Sequence, residues 1–173
     1  MARAATPAIA ALVAAGTEHD VLAYRHDPRT EAYGDEAVAA LAEAHDVQPG
    51  QIFKTLVISL GPGRLAVAVL PVPERLSLKA AAAALGAPKA AMADAAAAQR
   101  STGYVLGGIS PLGQRRALPT VVDSSVLGWD RNYVEGMLQS GLWVDMYAMT
   151  PDGKRWQRQI YPRLRDFIHA FDE

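Results

Sequence analysis

Two apolar runs stand side by side in the chain, "QIFKTLVISL" and "LAVAVLPV", joined by "GPGR". Runs of this length, divided by a Gly-Pro-Gly turn, predict a β-hairpin. Upstream, "YGDEAVAALAEAHD" carries Ala37, Val38, Leu41 and Ala42 on one stripe, which predicts an amphipathic helix. "TPAIAALVAAG" predicts a helix over about 7–15, with Thr6 as N-cap, Pro7 in the first turn and Gly16 past the end. "SLKAAAAALG" predicts a helix capped by Ser77 and stopped at Gly86, and "DAAAAQR" a further short one. "DVLAYRHD", "LPTVVDSSVL" and "NYVEGM" suggest short strands, and "GLWVDMYAM" alternates as a strand near the end of the sheet. In the tail, Leu164, Phe167, Ile168 and Phe171 share one helical stripe. The expected fold is α/β, with a mixed, barrel-like β-sheet flanked by helices. Residues 1–173 are expected to form a single domain.

Composition narrows the chemistry. Half of the 173 residues are hydrophobic, enough for a packed core. The formal charge is −1, so any contact with a polyanion must come from local patches. There is no cysteine, which excludes disulfides, thiolate zinc sites and a protein-borne thiol nucleophile. The four histidines have no ligand spacing, so neither a metal nor a cofactor is expected. No apolar run approaches the length of a membrane span. The N-terminus reads better as a capped helix than as a signal peptide, and the expected location is cytoplasmic.

Five features could carry function. Lys54 lies among Ile52, Leu56, Ile58 and Leu60 on the apolar face of its strand. It is either an edge-strand lysine snorkelling to water or an ammonium facing an anion in a pocket. "STGYVLGGISPLGQ" concentrates Gly103, Gly107, Gly108 and Gly113. It fits neither the hydrolase elbow nor the phosphate loop. It is either a connecting turn or a cradle of backbone N–H donors for a carbonyl oxygen. Arg115 and Arg116 follow it, as solvated residues or as phosphate contacts. A polar segment with Tyr24, His26, Asp27, Glu31 and Tyr33 could line a pocket or form a surface turn. The tail interleaves Lys154, Arg155, Arg158, Arg163 and Arg165 with Trp156 and Tyr161, either as the wet face of a helix or as a surface for single-stranded nucleic acid.

In order along the chain, "YRHDP", "EAYG", "IFKTLV", "LAVAVLPV", "LSLKAAAAALGA", "AMADA", "RSTGYVLGGISPLGQRRALPTVVD" and "NYVEG" resemble the YbaK-type family. These are Cys-tRNA(Pro) deacylases similar to the editing insertion of bacterial prolyl-tRNA synthetase. The resemblance covers roughly residues 5–136. It implies a trans-editing deacylase that releases a wrongly esterified amino acid, most of all cysteine, from the tRNA(Pro) 3′ end. Such a second sieve is needed because a synthetase pocket rejects a smaller or isosteric amino acid by only ~1–3 kcal/mol. The implied partners are the tRNA acceptor end and prolyl-tRNA synthetase.

The resemblance also implies roles for residues. Lys54 would hold the acceptor end near its phosphate. Gly107, Gly108 and Ser110, with Ile109 and Pro111, would form the loop whose amides face the ester carbonyl. Tyr24, Tyr33, Phe53 and Thr55 would line the substrate pocket, and Arg115 would contact substrate. In the cysteine-specific branch the substrate's own thiol attacks the ester, a lyase-like route needing no nucleophile from the protein. The chain departs from the family after Tyr133, where "EGMLQSGLWVDM" replaces a small, basic stretch and Trp143 stands where aspartate is common. Residues 137–173 would thus be a divergent C-terminal extension. Two alternatives remain: a non-catalytic tRNA- or synthetase-binding module, and a hydrolase of small acyl or nucleotide esters.

Overall fold

A computed structural model describes residues 6–16, 19–23, 29, 33–129, 131–137 and 142–147. Helix α1 (Pro7–Ala14) starts where Thr6 Oγ1 accepts from Ile9 N–H, with Pro7 in the first turn. Strand β1 (His19–Ala23) precedes α2 (Tyr33–His45). The central hairpin is β2 (Ile52–Ser59) and β3 (Leu65–Pro71), turning through Gly61 and Gly63 at φ 128° and 68°. Helix α3 (Leu78–Ala84) is capped by Ser77, whose oxygen accepts from Ala80 N–H. The two-residue β4 (Ala91–Met92) follows, then α4 (Ala95–Thr102), capped by Asp94 and ended by Gly103 at φ 81°. Strands β5 (Thr120–Val122), β6 (Arg131–Met137) and β7 (Leu142–Tyr147) complete the sheet.

The strand order is β1-β7-β6-β2-β3-β5, with β4 also paired to β2. Strands β2 and β3 run antiparallel, whereas β6 is parallel to β2 and β5 parallel to β3. The mixed α/β expectation therefore holds, but the barrel does not. The sheet is open: β1 and β5 end the order without pairing to each other. Strand β5 contributes only three residues, too short a rim to carry the ladder around. Strand β2 lies between β6 and β3 in the sheet order, so Lys54 is not on an outermost strand, although β6 pairs with β2 only at Ile52 and Phe53. Strand β7 sits second from the β1 end. The proposed C-terminal helix and the basic tail lie outside the described residues.

Side chains alternate across β2 and β3, so the sheet has two packed faces. On one, the helix face, Ile52 meets Ala37 and Leu41 of α2, while Ile58, Ala66 and Ala68 meet Ala81 and Ala82 of α3. On the other, the loop face, Phe53, Val67 and Val69 pack with Ala8 and Leu12 of α1 and with Leu112. Val57 joins Ala98 of α4, Tyr104 and Ile109 there. Two layers thus cover both faces of one hairpin, and alanine lets α3 approach the sheet closely.

Candidate functional site

The site is built around the outer edge of β2. Strand β6 pairs with it only at Ile52 and Phe53, and β4 only at Ile58 and Ser59. Ala93 N–H additionally reaches Val57 O at 3.1 Å. Among the described residues, Lys54, Thr55 and Leu56 have no strand on that side. The gap is about 10 Å long at the rise of a strand.

Lys54 stands beside the gap on the helix face, half-buried, opposite Leu70 of β3. Its Nζ donates to Val72 O at 2.8 Å and to Glu74 O at 2.5 Å, both just past the end of β3. These bonds hold two of the three ammonium protons and leave one for a ligand. Burial pushes its pKa below the ordinary 10.5, while the carboxylates of Asp35 and Glu74 oppose that shift. Because the folded pKa is depressed, the fold binds fewer protons than the unfolded chain between that pKa and 10.5. Lys54's contribution to stability therefore rises with pH across that window. An activity that needs the ammonium has the reverse trend. Its rate should fall on the alkaline side at a pH below 10.5 and regain nothing above it.

Thr55 points to the loop face opposite Val69. It is 8% exposed, and its hydroxyl is buried without a hydrogen-bond partner. A buried hydroxyl left this way costs about 1–3 kcal/mol, so its retention calls for a reason.

The glycine-rich loop is clamped at both ends. Arg115 N–H bonds to Thr102 O and Arg116 N–H to Ser101 O, closing its base on α4. Inside, Tyr104 OH donates to Leu112 O at 2.6 Å, and Gln114 Nε2 donates to Ser110 O at 2.9 Å. Leu106 N–H reaches Gln99 Oε1. Gly107 takes φ 81° and Gly113 φ 63°. Gly113 lies directly against the Pro7 carbonyl of α1, leaving no room for a Cβ. The loop is thus a pinned shelf whose tip exposes Val105 and Leu106.

The candidate residues do not all face one space. Phe53 is fully buried in the core, Ile109 is 5% exposed against Val57, and Ser110 is fully buried. The Ser110 hydroxyl accepts from Leu112 N–H at 3.2 Å, shaping the loop from within. The Gly108 N–H is already bonded to Val105 O at 3.1 Å. The N–H groups of Gly107, Ile109 and Ser110 make no main-chain hydrogen bond within the described fold, and of these three residues only Gly107 is half-exposed. Pro111 is half-buried, and the Arg115 side chain lies over Gly103. Tyr33 begins α2. Tyr24, His26, Asp27 and Glu31 lie outside the described residues. Lys54 and the loop therefore sit on opposite faces of β2, on either side of its unpaired edge. Sequence reasoning missed the carbonyls of Val72 and Glu74 and the carboxylate of Asp35. The one signal for Asp35 was an acidic first turn in α2. Among the described residues no group of three or more His, Asp or Glu could hold a metal ion.

The sequence profile of the aminoacyl-tRNA editing domain matches residues 35–144, and the chain belongs to that family. The matched span contains β2, Lys54 and the whole glycine-rich loop. A similar curated protein is "Putative Cys-tRNA(Pro)/Cys-tRNA(Cys) deacylase EbsC" of Enterococcus faecalis (strain ATCC 700802 / V583), 38% identical over 81 residues. That match spans 47% of this chain and 49% of the relative, about half of its length. Among solved structures, "a putative trans-editing enzyme for prolyl tRNA synthetase" superposes with TM-score 0.65 at 27% identity, covering 78% of this chain and 81% of that one. The "hypothetical protein APE2540" has the same fold, with TM-score 0.65 at 23% identity over 92% of this chain and 90% of that one.

Proposed function

We propose that this chain is a trans-editing deacylase that releases cysteine from mischarged Cys-tRNA(Pro). The observation that carries the reading is an editing domain whose open strand edge has an ammonium on one side and a shelf of main-chain donors on the other. The CCA terminus would lie along the β2 edge. The remaining Lys54 proton would meet its phosphate. The half-exposed Gly107 N–H would face the ester carbonyl as charge develops on oxygen. Phe53, Ser110 and the bonded Gly108 would hold this shelf rather than touch substrate. Thr55 would offer its hydroxyl to the aminoacyl group.

The chemistry needs no nucleophile from the chain. The substrate's thiol attacks its own carbonyl carbon, the C–S bond forms as the C–O bond to the ribose breaks, and the thiol proton passes to the departing 3′ oxygen. The products are a cyclic thioester and tRNA. The protein lowers the barrier by positioning and by stabilising the oxyanion. Prolyl-tRNA synthetase is the partner that would deliver the mischarged tRNA.

The test is a deacylation panel of tRNA(Pro) charged with Cys, Ala, Ser or Pro, plus Cys-tRNA(Cys). Cysteine should be released from tRNA(Pro), and the serine ester, which lacks the thiol, should persist. Binding of uncharged tRNA with no accelerated ester loss would instead identify a non-catalytic module. Thr55→Val separates site from scaffold. Removing an unsatisfied buried hydroxyl should raise stability by up to ~1 kcal/mol in a denaturant titration, while deacylation slows about tenfold. Parallel loss of both would assign Thr55 to folding alone.

A further inference from the structure

A cleft lies on the loop face, at the far end of the hairpin, with a volume of about 390 Å³. One wall is the Gly61-Pro62-Gly63 turn with Ser59 and Leu65, and the other is the face of α4 bearing Asp94, Ala97, Arg100 and Ser101. Arg116, which leaves the glycine-rich loop, closes one end. We propose that this cleft is a phosphodiester-binding subsite that holds the acceptor strand of the tRNA some nucleotides away from its esterified end, with Arg100 and Arg116 as the phosphate ligands. The proposal rests on the editing reading above.

Three observations support it. First, charge: the lining residues include two guanidiniums and one carboxylate, and that carboxylate is used as a cap, with Asp94 Oδ1 accepting from Ala97 N–H at 2.9 Å. Its charge is directed at the helix N-terminus, and the cleft keeps a positive excess. Arginine suits this task because its planar fork matches phosphate oxygens. Second, an unsatisfied group: Ser101 is 5% exposed, and its hydroxyl is buried without a partner. A phosphate oxygen arriving at this wall would accept its proton. The hairpin wall also admits close approach, since a Cβ built at Gly61 or Gly63 would meet nothing within 4 Å. Third, placement: Ser59 shares the loop face with Thr55 and lies four residues along the same strand, about 13 Å away. Val57, between the two positions on the strand, packs with Tyr104 and Ile109, so the site and the cleft share one face of β2. The Arg116 main chain is held by its N–H to Ser101 O at 3.2 Å, which ties the subsite to the base of the glycine-rich loop.

The test uses the full chain and the double variant Arg100→Gln/Arg116→Gln. Two substrates are compared: full-length Cys-tRNA(Pro) and a cysteinylated CCA trinucleotide. The expected result is a KM raised tenfold or more for the tRNA with kcat retained, and unchanged parameters for the trinucleotide. The slope of log affinity against log salt for uncharged tRNA should become shallower by about 1.5–2, and Arg100→Lys/Arg116→Lys should restore most of it. Equal losses on both substrates, or an unchanged salt slope, overturn the proposal. Inorganic phosphate is the third probe. If it raises the wild-type melting temperature, the double variant abolishes that rise and tRNA affinity stays put, the cleft is a small-anion site and the polynucleotide assignment falls. If wild type cleaves neither substrate, the editing reading fails, while the salt slope still decides whether this cleft holds RNA.

Discussion

Lys54→Met should reduce cysteine release from tRNA(Pro) a hundredfold or more while leaving the fold intact. Losing one charged donor at a developing or resident negative charge costs this much in comparable sites. The stability effect should be small, because two contributions oppose each other. The depressed pKa of Lys54 means that the fold holds the ammonium against a desolvation cost, which methionine does not incur. Against that gain, Val72 O and Glu74 O lose their donor. The two effects nearly offset, and the melting temperature should move by no more than a few degrees. Activity should collapse chiefly through kcat if the ammonium acts in the transition state, and through KM if it only holds the acceptor end. A variant that deacylates at the wild-type rate would remove Lys54 from the mechanism. One that fails to fold would make it a structural lysine.

Gly113→Ala should be the most damaging small substitution in the loop. Its φ of 63° costs a residue with a Cβ about 1–2 kcal/mol. The added methyl would also collide with the Pro7 carbonyl, part of the rigid first turn of α1. Relief requires α1 or the loop to move, and overpacking of this kind costs a further 1–3 kcal/mol or so. A loss of roughly 3 kcal/mol should lower the melting temperature by about 10 °C in a chain of this length. Deacylation measured well below that temperature should fall too, because the Gly107 amide rides on the same shelf. Gly86→Ala provides the contrast. It also sits at positive φ but in open space, so it should cost stability without touching cysteine release.

The chain's local code was readable wherever an element is specified by its own residues. Thr6, Ser77 and Asp94 cap helices because their oxygens reach backbone N–H groups three residues on. The β2–β3 hairpin follows from two apolar runs and a glycine turn that accepts positive φ. The "FKTL" and "TGYVLGGISPLG" stretches pointed to an editing domain, and the family match contains both. Lys54 stood out because a charge on an apolar strand face breaks the local pattern. What tertiary structure alone decided is where these pieces meet. Whether the sheet closes depends on pairing between β1 and β5, about a hundred residues apart, and no local period reports on that. Lys54 borders a gap in an interior strand because β6, returning from far along the chain, pairs with β2 only at Ile52 and Phe53. Its ammonium is held by carbonyls 18 and 20 residues away. The Gly108 amide and Ser110 hydroxyl turn inward because the loop must satisfy its own buried polar groups before it can offer any to a substrate. Propensity and patterning act over a few residues, whereas long-range pairing and polar satisfaction are settled only when distant segments compete for the same donors and acceptors.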